Sequence, residues 1–276
     1  MAALALSVLV GNMVTRGIRA LDGIVRQFAT QNFAVRAPVL SKDEVGRLSQ
    51  SFNSMAQSID EHSRHRESLL RAYGRFVPHS FLGFLKKESV IDLQLGDHVQ
   101  REMTVLFSDI RSLTTLSETM TPQENFDFVN AFLRRVGPVI RDHGGIVDKY
   151  IGDAVMALFP GTGTDAARAA IAMQQRVAEY NVQRRAQGYV PIAIGVGLHT
   201  GRLILGTVGE SERMNSTVIS DAVNLASRLE GATKHYGVRI IVSEGTRAQL
   251  DPSANFGLRF LDRLQVKGKS EPIAIY

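Results

Sequence analysis

Residues 146–159 read IVDKYIGDAVMALF, two apolar runs on either side of Gly152 and Asp153. Strand formers flanking a Gly-Asp pair predict a tight β-hairpin over 145–151 and 154–159, with Asp153 at its tip. Asp148 alternates to the other side of its strand and reads as structural. Upstream, residues 103–114 (MTVLFSDIRSLT) hold a second apolar run that delivers Asp109 at the end of a strand over 102–108. The chain then turns toward a helix through Ser and Thr. If the two strand ends are neighbours, two carboxylates can bind two metal ions and orient a triphosphate for in-line attack. The turning amides around Leu113 and Thr114 can cradle phosphate oxygens. Taken singly, each motif also has a plain reading: Asp109 as the cap of the next turn, Gly152-Asp153 as an ordinary hairpin.

Further strands are predicted near 192–199, 203–208, 239–242, 258–266 and 272–276, with helices near 122–141, 164–187 and 221–236. This alternation predicts an α/β (α+β) unit, a ferredoxin-like βαββαβ palm with an antiparallel-rich sheet. The third helix opens in residues 217–230 (TVISDAVNLASRLE), where Ser220 reads as an N-cap and Asp221 suits the first turn. Asn224 and Arg228, four apart, share one face of it, so a fixed amide and guanidinium can steady a ribose and a charged phosphorus centre. Glu230 is two residues from Arg228 and does not face it. Near the C-terminus, Lys267 in VKGK (266–269) is either a phosphate contact or part of an exposed basic turn.

Ahead of the palm, Val14, Ile18, Leu21, Val25 and Phe28 recur at four-three-four-three spacing, and Val45, Leu48, Phe52, Met55 and Ile59 at three-four-three-four. Two short heptad helices joined by a polar connector (QNFAVRAPVLSK) cannot bury both seams alone, which predicts a parallel dimer forming a four-helix bundle. Residues 60–76 continue as a polar helix with a weakened seam (His62, Arg66, Leu69, Tyr73, Phe76), and Pro78 punctuates it. A short helix and an extended lead-in follow over 79–99. Residues 2–14 are apolar and uncharged but shorter than the roughly 20 residues a membrane span needs, and they read as the cytoplasmic end of a transmembrane helix.

Composition sets the outer limits. With 276 residues, 44% hydrophobic and 21% charged, the chain has the makeup of a folded protein rather than a disordered one. It has no cysteine, which excludes disulfides, thiolate nucleophiles and Cys-ligated zinc. The net charge of +5 comes without a long Lys/Arg block or an aromatic-interleaved basic patch, so no nucleic-acid partner is expected.

The opening of the second heptad helix, Asp43-Glu44-Val45-Gly46, resembles the D-E-x-G of HAMP domains, signalling relays found just inside bacterial membranes. Gly17 stands where that family usually carries a proline. Downstream, FSDIR (107–111), KYIGDA (149–154), DAVNLASRLE (221–230) and VKGK (266–269) resemble, in order, the class III adenylate and guanylate cyclase catalytic domain. The layout expected is an apolar segment 1–14, a HAMP-like dimeric relay 15–62, a signalling helix and linker 63–98, and a catalytic domain 99–276.

The cyclase resemblance implies two divalent metal ions, Mg²⁺ or Mn²⁺, held by Asp109 and Asp153 with help from the Ile110 carbonyl. It implies that Lys149 and Thr217 read the purine, that Asn224 and Arg228 stabilise the transition state, and that Lys267 holds the triphosphate. Arg202, in HTGR (199–202), is a weaker phosphate candidate beside a structural His199. It also implies a homodimer with ATP as substrate, in which one subunit holds the metals and the other supplies the remaining groups. An upstream transmembrane or sensor segment and a catalytic domain at the cytoplasmic face of the membrane follow from the same resemblance. A Lys donor and a Thr acceptor suit the N1 and N6 of adenine, where guanine readers of the family carry Glu and Cys. Guanylate cyclase and a catalytically inactive dimeric scaffold are the alternatives. Leu113 stands where Phe is common, Asn215-Ser216 where Asp-Tyr is common, and Ser220 where Gly is common.

Overall fold

Two helices and an extended connector make up the N-terminal unit, Met1–Phe76: α1 (Ala2–Ala29) and α2 (Glu44–Tyr73). The structure, a computed structural model, describes residues 2–74, 79–210, 212–265 and 272–276, with backbone alone for residues 2–14 and His79. Asp43 starts α2 by accepting from the amides of Val45 and Gly46, at 3.0 and 3.2 Å, two donors that a helix start otherwise leaves open. The Ser41 hydroxyl and these amides hold its carboxyl below the usual range. Gly46 lets the connector pass: a Cβ there would stand 1.9 Å from the Ser41 carbonyl oxygen. Asn53 clamps the connector, accepting from the Ala37 amide at 2.7 Å and donating to the Ala37 carbonyl at 2.9 Å.

Phe52 and Ala56 of α2 pack with Ala37 and with Leu21, Ile24 and Phe28 of α1. Ile18, Val25, Leu48 and Met55 of the two seams remain 42–58% exposed, and Val45 and Ile59 are half-buried. The side chain of Val14 on the first seam, and Phe76 and Pro78 beyond α2, fall outside what is described. Among the described residues no helix is long and apolar enough to cross a membrane.

The second unit, Val77–Tyr276, starts with α3 (His79–Phe84) and is built on a six-stranded sheet. β1 (His98–Ile110), β2 (Ile146–Ile151), β3 (Ala154–Phe159), β4 (Ile194–Gly209) and β5 (Met214–Ile219) take the order β2-β3-β1-β4-β5. β6 (Ile240–Val242) pairs parallel with β4, and β7 (Asp262–Leu264) pairs with β8 (Ile273–Ile275) in a separate ribbon. After β1 comes the short α4 (Leu113–Ser117), and α5 (Pro122–Asp142) and α6 (Gly163–Ala186) make the two crossovers. The first four strands pair with one another antiparallel, so the ferredoxin-like βαββαβ palm read from the sequence is the observed one.

Alternation along β1 sorts the two faces. Leu106 and Ile110 join Phe132 and Ile140 of α5 and Met173 of α6 in one core. Met103, Val105 and Phe107 join Met156, Leu158 and Leu205 in the other, with Ala222 and Ala226 of α7 (Asp221–His235). The helix lies almost on the backbone of β4. A Cβ on Gly197 would meet the Glu230 amide nitrogen at 2.2 Å and the Ala226 carbonyl at 2.4 Å.

Three details depart from the sequence reading. Segments 192–199 and 203–208 form one strand rather than two, because β1 pairs with β4 from His98 opposite Gly206 to Ile110 opposite Ile194, carrying Gly201 through as extended backbone. β5 has no counterpart among the expected strands. Its sequence, MNSTVI, mixes polar and apolar residues without alternation, half of them exposed, and as an edge strand it needs only β4 on one side. The strand expected over 258–266 is the three-residue β7, held by β8 alone.

Gly197→Ala is expected to cost about 1–3 kcal/mol by overpacking α7 against β4. The melting temperature should fall by several degrees. An unchanged melting curve would rule out so close a docking of α7.

Candidate active site

Ser108 lies opposite Val155 across β1 and β3, so Asp109 and the hairpin residue Asp153 emerge side by side. Gly152, at φ +65°, makes the turn that puts Asp153 there. A single donor serves both carboxylates: the Ile110 amide donates to Asp109 Oδ1 at 3.0 Å and to Asp153 Oδ2 at 3.1 Å. Burial, then the hydrogen bond and charge of Asp153, then the charge of Glu230, push the Asp109 carboxyl up to about 7. An oxygen-only donor set under like-charge repulsion fits a hard divalent cation. Among the described residues no group of three or more His, Asp or Glu side chains converges to hold a metal.

These residues open into a cleft of about 490 Å³ that Leu113, Thr114, Glu230 and Lys234 also line. Ser112 turns the chain into the cleft wall from the left-handed region, at φ 58°. Two residues of this wall went unassigned in the sequence. Arg111 donates through its guanidinium to the Thr233 carbonyl at 3.2 Å and to the Val238 carbonyl, tying the end of β1 to the end of α7. Glu230 is half-buried; burial pushes its carboxyl up, the Arg111 charge opposes this and the Asp153 charge adds to it. Arg111 stood inside FSDIR without a role. Glu230 was weighed only against Arg228, whereas its charged neighbours come from β1 and the hairpin.

Lys149 and Thr217 meet elsewhere. Lys149 Nζ donates to Thr217 Oγ1 at 2.7 Å, although β2 and β5 stand at opposite ends of the strand order. The sheet curls over the core of Met156, Val218, Ala222 and Ala226, which brings its edges within side-chain reach. The expectation that Asp148 alternates away is corrected here. The register shifts between Val147 and Lys149, and this bulge leaves Asp148 Oδ2 at 3.3 Å from Lys149 Nζ.

On α7, Asn224 and Arg228 are exposed, while Leu225, Ala226 and Leu229 are buried. Ser220 caps the helix, accepting from the Ala222 amide at 3.0 Å and donating to the Arg202 carbonyl at 2.6 Å. His199 Nδ1 lies 2.8 Å from Ser243 Oγ. Lys267 falls outside the described residues. Asp109, Ile110, Leu113, Thr114 and Asp153 therefore share the cleft, and Lys149, Thr217, Arg202, Asn224 and Arg228 are not among the residues that line it.

Residues 97–276 match the family described as the adenylate and guanylate cyclase catalytic domain, and residues 9–61 match the HAMP domain. An adenylate cyclase of Anabaena cylindrica is 41% identical over 266 residues, 94% of this chain and 53% of that protein. A terminal-differentiation-specific adenylate cyclase of Dictyostelium discoideum is 37% identical over 216 residues, 76% of this chain and 10% of that protein. The chain thus spans about half the length of the first of these relatives and a tenth of the second. Among solved structures, the adenylyl cyclase CyaB from P. aeruginosa superposes with a TM-score of 0.59 at 34% identity, over 65% of this chain and 94% of that one. A match running from the start of β1 to the last residue, on a palm of the same fold, makes this chain a member of the adenylate and guanylate cyclase catalytic domain family, with a HAMP domain in front.

Proposed function

We propose that the chain converts ATP to 3′,5′-cyclic AMP and pyrophosphate, at sites completed between two copies of itself and controlled by the HAMP unit. The observation that carries this reading is the division of the candidate residues into two groups on one chain: an acidic cleft, and the hydrogen-bonded Lys149–Thr217 pair elsewhere. Two copies facing each other bring the cleft of one to the Lys149–Thr217 pair of the other. The exposed seam residues Ile18, Val25, Leu48 and Met55 support the pairing, because a parallel four-helix bundle covers them.

Asp109 and Asp153, with the Ile110 carbonyl, would hold two Mg²⁺ or Mn²⁺ ions. Bound there, the ions supply charge neutralisation of the triphosphate and acidification of the ribose hydroxyl. Lys149 donates to N1 of adenine, and Thr217 accepts from N6, a pattern that guanine reverses. Asn224 and Arg228, one turn apart on the exposed face of α7, orient the ribose and counter the charge that grows on the α-phosphorus. The turn at Leu113 and Thr114 holds phosphate oxygens, and Lys267 and Arg202 are further triphosphate contacts.

In this layout residues 15–62 are the relay, 63–98 the signalling helix and linker, and 99–276 the catalytic domain. The catalytic domain works on the cytoplasmic face of a membrane in this reading. The first test is chemical: the purified chain with Mg²⁺ or Mn²⁺ is expected to form cyclic AMP from ATP and far less cyclic GMP from GTP. The reverse preference would make it a guanylate cyclase, and no cyclic product an inactive scaffold.

The acid pair predicts a pH signature. The folded Asp109 carboxyl titrates at about 7 against an ordinary 3.8, so the metal-free fold holds a proton that the unfolded chain gives up. Its contribution to stability is therefore lost as pH rises from the lower value through the higher one. A divalent ion competes with that proton, so the rise in melting temperature caused by Mn²⁺ should grow between about pH 6 and about pH 8. Asp109→Asn should abolish the rise. A rise independent of pH, or retained in the variant, would place the metal elsewhere.

The shared site predicts complementation. Asp109→Ala and Arg228→Ala should each give an almost inactive homodimer. Mixed in equal amounts with free subunit exchange, about half the dimers are hybrids with one intact site of two, so roughly a quarter of parental activity should return. No recovery despite proven exchange would put both groups in the same subunit's site.

A further inference from the structure

We propose that Asp148 sets the purine preference by positioning the Lys149 ammonium, an inference that rests on the reading of Lys149 and Thr217 as the purine pair. Three features of the structure carry it. The bulge at Val147–Lys149 turns two consecutive side chains toward each other, with Asp148 Oδ2 at 3.3 Å from Lys149 Nζ. The Asp148 side chain is 5% exposed against 39% for Lys149, so the carboxylate forms the inner wall behind the ammonium. Among the described residues Asp148 Oδ2 makes no hydrogen bond, and what faces it is that ammonium.

A carboxylate taken so far from water needs a counter-charge, and Lys149 supplies one. Burial pushes the Asp148 carboxyl above its ordinary range and Lys149 works against that shift. The converse matters for the site. Thr217 accepts from Lys149 at 2.7 Å but is neutral, so it orients the ammonium without balancing its charge. An ammonium has three N–H bonds. With one taken by Thr217, and Nζ held beside Asp148 by charge rather than by a hydrogen bond, the remaining N–H bonds are left to face an acceptor on the base. Without the carboxylate, the flexible four-carbon stem lets the ammonium swing, and the donor pattern that separates adenine from guanine is blurred. Asp148 touches no substrate in this account. It acts through Lys149, and its substitution should therefore raise the KM for ATP more than it lowers kcat.

The experiment measures kcat and KM for ATP and GTP in the full chain for the parent, Asp148→Asn, Lys149→Met and the double variant. Asp148→Asn is expected to lower the ATP-over-GTP ratio of kcat/KM by about tenfold, the scale of a lost charge-assisted contact, chiefly through the KM for ATP. In the Lys149→Met background, Asp148→Asn should lower the ratio no further, because the residue through which it acts is gone. Asp148→Glu, which restores the charge, should recover part of the preference. Asp148→Ser replaces the Asn variant if that one does not fold. An unchanged ratio in Asp148→Asn, beside a collapsed one in Lys149→Met, would overturn the role of Asp148 and leave the purine pair standing. Additive losses in the double variant would show that Asp148 acts on the packing of β2 and not through Lys149. An unchanged ratio in Lys149→Met would remove the purine assignment itself, and this inference with it.

Discussion

The Ile110 amide donates to two carboxylates at once, and the geometry of the acidic cleft follows from that shared bond. Burial first, and then the hydrogen bond and repulsion between two acids so close, keep a proton on Asp109 until near neutrality. They stay together because neither is free to leave. Asp109 belongs to the central strand, gripped by β3 on one side and β4 on the other, and Asp153 is fixed by a hairpin whose Gly152 alone takes the left-handed turn. Separating the acids would mean unpairing the middle of the sheet. The unfavourable charge is thus preserved by hydrogen bonds made elsewhere, which is how a folded chain keeps a site ready for a cation.

The helix that carries Asn224 and Arg228 is fastened to the same frame. Its backbone lies against Gly197 of β4, its start is tied through Ser220 to Arg202, and its end is tied through Arg111 to the strand that bears Asp109. Such a helix does not slide on its own sheet without breaking buried contacts. On the proposed reading, regulation by the HAMP unit therefore works on how two rigid catalytic units face each other, and not on a rearrangement inside either one.

Much of this was legible before any coordinates. Apolar runs of strand length ending in Asp, and a Gly-Asp pair between two such runs, carry their geometry in local chemistry, so Asp109, Asp153 and the palm could be read from spacing and resemblance. The misses share a different cause. β5 is recognisable only from its partner, since MNSTVI has no apolar face of its own. The continuous β4 passes through Gly201-Arg202, which reads locally as a turn until β1 pairs across it. The bulge that brings Asp148 to Lys149 defeats strict alternation, and nothing in IVDKYI marks where the register slips. Arg111 and Glu230 find their neighbours across roughly a hundred residues of chain, a distance over which no periodicity speaks.

On the proposed reading, charge balance gives a physical reason for the site to take a residue from a second copy. Two cationic residues line the acidic cleft, Arg111 and Lys234. Arg111 is committed to the carbonyls of Thr233 and Val238, which leaves its guanidinium facing the end of α7 and not the cleft mouth. A triphosphate beside metal ions that Asp109 and Asp153 would hold would gain negative charge as its α-phosphorus is attacked, and a preorganised donor would have to meet that charge. Arg228, on the outward face of α7, lies outside the cleft of its own chain. On the proposed reading it serves that charge in the cleft of a partner. A signal that sets how the two copies meet would then set the chemistry as well.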